Sequence, residues 1–238
     1  MKTSLLSLAL VVAALPLRAQ DGDPAKEGEI RQEPAKKQGE GQEPKKEEKK
    51  TYEAPWTVGK EVDPKTTLTD IFGKKLSFSE LQGKVVFVHF WSRTCPYEKV
   101  AEPKINQISA DYAKKGVVVI GINANGNELG PRPDAKAFET EDEAKRPYAD
   151  LRAHYAKNEV NHRILADHDN VVADKFAARS TPHCFVIDAK GVVRYDGALD
   201  DDPRGSKEDG ERSDYVRLAI DAVLAGKAPE ETNTKPYG

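Results

Sequence analysis

At 238 residues the chain has room for one or two domains, and 37 Lys+Arg against 40 Asp+Glu leave a net charge of −3. That near balance excludes the electrostatic footprint of a nucleic-acid binder or a membrane-surface protein. Two cysteines exclude a disulfide-rich scaffold while allowing one bridge, and together with five histidines they show no close ligand spacing for zinc.

The chain begins with a basic residue, Lys2, an apolar run from Leu5 to Leu15, and Pro16-Leu17-Arg18-Ala19. This order predicts a secretory signal peptide over 1–19, with no stable membrane insertion after processing. Residues 20–53 are dominated by Gly, Pro, Gln, Glu, Lys, Asp and Ala, too poor in apolar surface to offset the entropy of ordering. They are expected to form a disordered linker. The folded domain is expected over 54–228, followed by a tail over 229–238.

Within that domain, strand and helix signals alternate as in an α/β protein. Lys74 to Phe78 alternates polar and apolar and is followed by a helical turn at Ser79–Gly83. Val85 to Trp91 is apolar apart from His89, the pattern of a central strand covered on both faces. A helix is expected over 96–115, with Pro96 in its first turn, Pro103 as a kink and Gly116 as its stop. Val117–Ile122 then forms a second buried strand, parallel to the first. Residues 124–145 are rich in Gly, Pro, Asn and charge and read as a surface insertion. A helix near 145–157, a strand at Arg163–Ala166 and a helix at Val171–Phe176 follow. Cys184–Asp188 and Val192–Tyr195 form a hairpin turning at Ala189-Lys190-Gly191. Ser213–Ala225 is an amphipathic helix with Ser213 as its cap. Asp200-Asp201-Asp202 and Asp167-His168-Asp169 read as solvated turns rather than metal ligands, and Gly126–Gly130 lacks a phosphate-loop pattern.

The densest chemistry lies at Cys95, placed between an apolar strand and Pro96. A helix N-terminus aimed at its sulfur favours thiolate, the nucleophilic form. Glu98 stands three residues on, either as the N3 partner of a capping box or as a catalytic group. Cytosolic reductants do not protect a thiol after export, so turnover at Cys95 requires its own electron source.

Phe90-Trp91 before Cys95-Pro96, Pro103 eight residues past the cysteine, Thr181-Pro182, and Phe185-Val186-Ile187-Asp188 with Gly191 occur in one order. Together, over roughly 54–226, they resemble the thioredoxin-like superfamily, and more narrowly its redoxin, peroxiredoxin-like group (alkyl hydroperoxide reductase/thiol-specific antioxidant). The resemblance implies an α/β thioredoxin fold, a central mixed β-sheet flanked by helices, here with an insertion near 124–145. It also implies a cis-proline at Pro182 beside the cysteine.

Two departures define the chemistry. Glu98 occupies the position of the second cysteine of Cys-x-x-Cys, so a mixed disulfide at Cys95 has no adjacent thiol to release it. Ser92-Arg93-Thr94-Cys95-Pro96-Tyr97-Glu98 instead resembles a peroxiredoxin segment, although Val88 stands where its proline is expected and Pro182 displaces its arginine. Arg93 or Arg179 would have to substitute.

The resemblance thus implies catalytic roles for Cys95 as nucleophile and Ser92 as a peroxide contact, while His89 is either a base for the thiol proton or a satisfied core histidine. It implies a substrate-binding cleft of Trp91, Thr181, Pro182 and His183, the last either facing the cleft or a polar residue at the strand edge. Cys184 is expected to be either a resolving or a structural thiol. The expected activity is an exported, periplasmic or secreted thiol oxidoreductase or antioxidant acting on a peroxide or a protein disulfide. It uses an external thiol reductant, no metal or other cofactor, and no nucleic acid. The alternative is a non-catalytic thioredoxin-fold binding module.

Overall fold

Val85 to Trp91 is buried along its whole length, as its nearly continuous apolar run requires. Val86, Val88 and Phe90 point to one face of the sheet, packing with Trp56, Phe78, Phe176 and Phe185. Phe87 points to the other face and packs with Ala101, Ile105, Val216 and Ile220. A computed structural model describes residues 55–208 and 210–238. The signal peptide and linker expected over 1–53 lie outside the described residues.

The described residues form a mixed seven-stranded sheet in the order β2-β1-β5-β4-β3-β6-β7. Its strands are β1 (Thr67–Asp70), β2 (Lys75–Ser77), β3 (Val86–Phe90), β4 (Val118–Asn123), β5 (Arg163–Ala166), β6 (Cys184–Ile187) and β7 (Val193–Gly197). The strands β3, β4 and β5 run parallel, while β6 is antiparallel to β3 and β7 to β6. The helices are α1 (Pro96–Ala113), α2 (Gly126–Leu129), α3 (Ala149–Lys157), α4 (Val171–Lys175) and α5 (Tyr215–Leu224). This is the thioredoxin-like α/β architecture, with α1 as the crossover that joins the parallel neighbours β3 and β4.

Several local expectations are refined or corrected. The strand expected at Lys74–Phe78 is the second arm of a hairpin whose first arm, β1, is short and partly exposed. Asp70 fixes its turn by accepting the Phe72 and Lys74 N–H groups, and Gly73 supplies the positive φ. The third helix starts at Ala149, because Tyr148 is left-handed and Pro147 precedes it. Ser213 does not cap α5; Asp214 holds that position, and the Ser213 N–H donates to Asp201.

Two acidic runs are only in part solvated turns. Asp200 and Asp202 are buried, and Lys104 reaches Asp200 at 2.7 Å and Asp202 at 3.5 Å. Asp167 is also buried and accepts the Val172 and Ala173 N–H groups at the start of α4. The insertion is partly built into the fold, since Leu129 packs with Trp91, Leu151 and Ile164. Residues beyond 228 are not a loose tail: Asn233 bridges to Asp196 on β7, parallel to that strand.

Candidate active site

Cys95 is the N-cap of α1 in an extended conformation, with Pro96 as the first helical residue. Pro96 has no N–H to satisfy there, and its fixed φ suits a helix start. The Cys95 side chain is partly exposed, and its thiol donates a 2.9 Å hydrogen bond to the Thr181 carbonyl. The Thr181–Pro182 peptide bond is cis. The two segments singled out in the sequence, 86 residues apart, therefore meet at one sulfur.

An open groove of about 260 Å³ lies beside them, bordered by Phe90, Ser92, Asn125, Ala173, Ser180 and Thr181. None of these side chains is charged. Asn125 and Ala173 come from the insertion and from α4, neither of which the sequence placed near Cys95.

The loop leading into Cys95 is held by a residue that sequence reasoning missed. Glu128, on α2 in the insertion, accepts from the Ser92 hydroxyl at 2.7 Å, the Thr94 hydroxyl at 2.6 Å and the Thr94 N–H at 2.9 Å through Oε1. Its Oε2 accepts from the Arg93 N–H at 3.1 Å and from Asn123 at 2.8 Å. Burial works to raise the Glu128 carboxyl, but the Thr94, Ser92 and Asn123 hydrogen bonds outweigh it and hold the group below its usual range. Ser92, the expected peroxide contact, thus has its hydroxyl committed to Glu128. The Arg93 guanidinium lies 3.7 Å from Asp150, and Arg179 is exposed, its backbone N–H donating to His183.

Glu98 does not form a capping box. The Cys95 side chain makes no cap hydrogen bond to the helix, and Glu98 points inward, with Oε1 3.3 Å from the His89 Nδ1. His89 sits on β3 facing α1, and its Nε2 lies 2.9 Å from the Nε2 of His162. All three side chains are buried. Burial, then the neighbouring Glu102, raises the Glu98 pKa well above the carboxyl range. Burial also lowers His89 to about 3, against a smaller opposing effect of Glu102, and lowers His162 well below its usual value. The contact is therefore between a neutral acid and a neutral imidazole, not a salt bridge. Between the two imidazoles, one Nε2 donates and the other accepts.

Gly121 makes this chain of groups possible. It lies on β4 between β3 and β5, and a Cβ there would come within 3.0 Å of the His89 Nε2 and 2.6 Å of Ile164 Cδ1. A glycine inside an otherwise apolar strand marks such a close approach. It was the one signal in the sequence that could have revealed His162.

The remaining expected site residues fall elsewhere. Trp91 is fully buried and donates its indole N–H to Glu102, which also meets His154 at 2.9 Å. It supports α1 rather than lining a cleft. His183 is buried as well: its Nδ1 accepts from Arg179 and its Nε2 lies 2.6 Å from Asp196, so it does not face the cleft. Cys184 is opposite His89 in the β3–β6 register and is buried as a free thiol. Burial, then Glu98, pushes its pKa well above the usual thiol value. Among the described residues, no group of three or more His, Cys, Asp or Glu is placed to hold a metal ion, and no helix is long and apolar enough to cross a membrane.

A family model described as AhpC/TSA family matches residues 58–196. The chain belongs to that family. This AhpC/TSA-family chain is 32% identical over 130 residues to the thiol-disulfide oxidoreductase ResA of Bacillus cereus (strain ZK / E33L), covering 52% of this chain and 72% of that protein. It is 33% identical over 90 residues to the ResA of Bacillus thuringiensis subsp. konkukian, spanning about half of that relative (51%) and 37% of this chain. Among solved structures, a hypothetical protein from Sinorhizobium meliloti 1021 superposes with a TM-score of 0.60 at 25% identity, over 79% of this chain and 93% of that one. An uncharacterized conserved protein from Geobacillus kaustophilus gives 0.59 at 23% identity, over 77% and 95%.

Proposed function

We propose that the protein is an exported thiol-disulfide oxidoreductase that works through Cys95 alone on protein disulfides. The observation that carries this reading is the partly exposed Cys95 thiol hydrogen-bonded to the carbonyl before cis-Pro182, with Thr181 also bordering an uncharged groove. Such a groove suits an extended polypeptide better than a small charged disulfide, whose carboxylates would need cationic partners. The relatives named thiol-disulfide oxidoreductase ResA support the same reaction class. Export rests on the sequence of residues 1–19.

In the first step the Cys95 sulfur attacks one sulfur of the substrate disulfide. A Cys95–substrate S–S bond forms and the substrate S–S bond breaks. The departing sulfur takes the electron pair and the proton that Cys95 gives up. Glu98 and the buried Cys184 offer no thiol to resolve this adduct, so an external thiol attacks the Cys95 sulfur and a second one completes the exchange. The net change is two external thiols oxidised to a disulfide and one substrate disulfide reduced to two thiols.

The peroxide reading requires Ser92 and an arginine at the sulfur, and these groups are engaged with Glu128 and Asp150 or turned to solvent. The test is trapping. Incubation with a protein disulfide should give a covalent adduct at Cys95, lost in Cys95→Ser, retained in Cys184→Ala, and released by added thiol. An adduct that needs Cys184, or sulfenic acid formation at Cys95 with no disulfide adduct, would refute the proposal.

A further inference from the structure

The segment beyond α5 returns to the site that the sequence placed far from it. It adds to the free edge of β7: the Asp196 N–H donates to the Thr232 carbonyl and the Thr234 N–H donates to the Asp196 carbonyl, both at 3.1 Å. The Thr234 hydroxyl is 2.6 Å from the Tyr195 hydroxyl and accepts from the Ala198 N–H at 2.9 Å. Gly197 leaves room for this strand, since a Cβ there would lie 2.8 Å from the Thr234 backbone nitrogen.

Four contacts fix the end of the segment beside Thr181, the residue that accepts the Cys95 thiol. The Tyr237 hydroxyl donates to Asp200 at 2.7 Å, and the Tyr237 carbonyl accepts from the Ser180 hydroxyl at 3.3 Å. The Tyr237 ring packs 6.1 Å from that of Tyr97, two residues past Cys95. Gly238 rests against the Thr181 carbonyl, where a Cβ would lie 2.5 Å from the oxygen. That oxygen is the one that accepts the Cys95 thiol.

We propose that residues 232–238 occupy the docking site for a polypeptide at Cys95, as an internal strand that a substrate must displace. The inference rests on the reading of Cys95 as a thiol that acts on polypeptides. An extended segment recognised through its backbone along a sheet edge is the way such a substrate would bind, and the chain's own segment already holds that position. Its anchors are strong at Thr234 and few at the end: beyond Lys235 it is held by Tyr237 and by packing of Gly238. A small reagent reaches the partly exposed Cys95 sulfur with the segment in place, whereas a polypeptide needs the segment released.

The test compares the full-length chain with one ending at Lys235 and with full-length Gly197→Ala, whose new Cβ pushes the strand off β7. Cys95 is alkylated with iodoacetamide and, separately, with an extended peptide carrying a bromoacetyl group. If the segment is closed in about 90% of molecules, peptide alkylation should rise about tenfold in Gly197→Ala and by a smaller factor in the chain ending at Lys235, which keeps the Thr232 and Thr234 pairing, with iodoacetamide changed less than about twofold in both. Unchanged or slower peptide alkylation in either folded variant would overturn the proposal. A third measurement needs no variant. Full-length protein alkylated by the peptide should exchange the Thr234 amide, which donates to Asp196, faster than protein alkylated by iodoacetamide, and equal protection would refute displacement. Because alkylation needs only a nucleophilic thiol, displacement observed without any disulfide adduct at Cys95 would sink the proposed function and leave this inference standing.

Discussion

Replacing Glu128 by glutamine removes a charge and one acceptor from the carboxylate that holds the loop before Cys95. If the amide oxygen keeps the Oε1 position, its three donors from Ser92 and Thr94 remain, and the new NH2 group faces the Arg93 N–H and the Asn123 amide. Two hydrogen bonds to a charged group are then lost, each contributing about 1.5–3 kcal/mol in the general case. The site is only half-buried, so solvent replaces part of this and a net loss of about 2–4 kcal/mol is expected. For a domain of this size that lowers Tm by roughly 5–12 °C at pH 7.

The pH dependence isolates the cause. The folded Glu128 carboxyl lies below its unfolded value of 4.5, so its stabilisation is full above that value and is lost as pH falls through the folded pKa. The Tm gap between wild type and Glu128→Gln should therefore be wide at pH 7 and close progressively below about pH 4.5. Thermal melts at matched ionic strength across pH 3–7 measure it. A gap that does not change with pH, or one under about 1 °C at pH 7, would refute the reasoning that this carboxylate anchors the loop.

Glu98→Gln should behave in the opposite sense. The folded Glu98 stays protonated well above 4.5, so wild-type stability falls as pH rises past that value, because only the unfolded chain ionises there. The neutral glutamine has no such slope, so the variant should gain Tm relative to wild type from pH 4 to pH 8, and a constant difference would disprove the neutral-acid assignment. Gly121→Ala should destabilise by about 1–3 kcal/mol in denaturant titrations, since its Cβ would meet Ile164 Cδ1 at 2.6 Å and the His89 ring at 3.0 Å. A loss under about 0.5 kcal/mol would mean that the His89–His162 contact does not depend on that gap.

The legible parts of this protein were those written locally. The run from Val85 to Trp91, the Cys95-Pro96 junction and Thr181-Pro182 each carry their meaning within a few residues, through burial on both faces, a helix start and a turn before a strand. The site residues that depended on side-chain direction were read less well. Trp91 and His183 stand next to the right backbone positions but point into the core, toward Glu102 and Asp196. One residue of register reverses the face of a strand side chain, and no local pattern reports it when both faces are buried.

The sequence by itself determined the class of fold, the Cys95-Pro96 helix start and the Thr181-Pro182 turn, because helix capping and strand burial are short-range effects. Only the tertiary structure decided what surrounds the sulfur. Glu128 reaches Ser92 across 36 residues, His162 reaches His89 across 73, and Tyr237 reaches Ser180 across 57. Partners at such separations are chosen by sheet order and by which side chains share a face, and these are settled only when the whole chain packs.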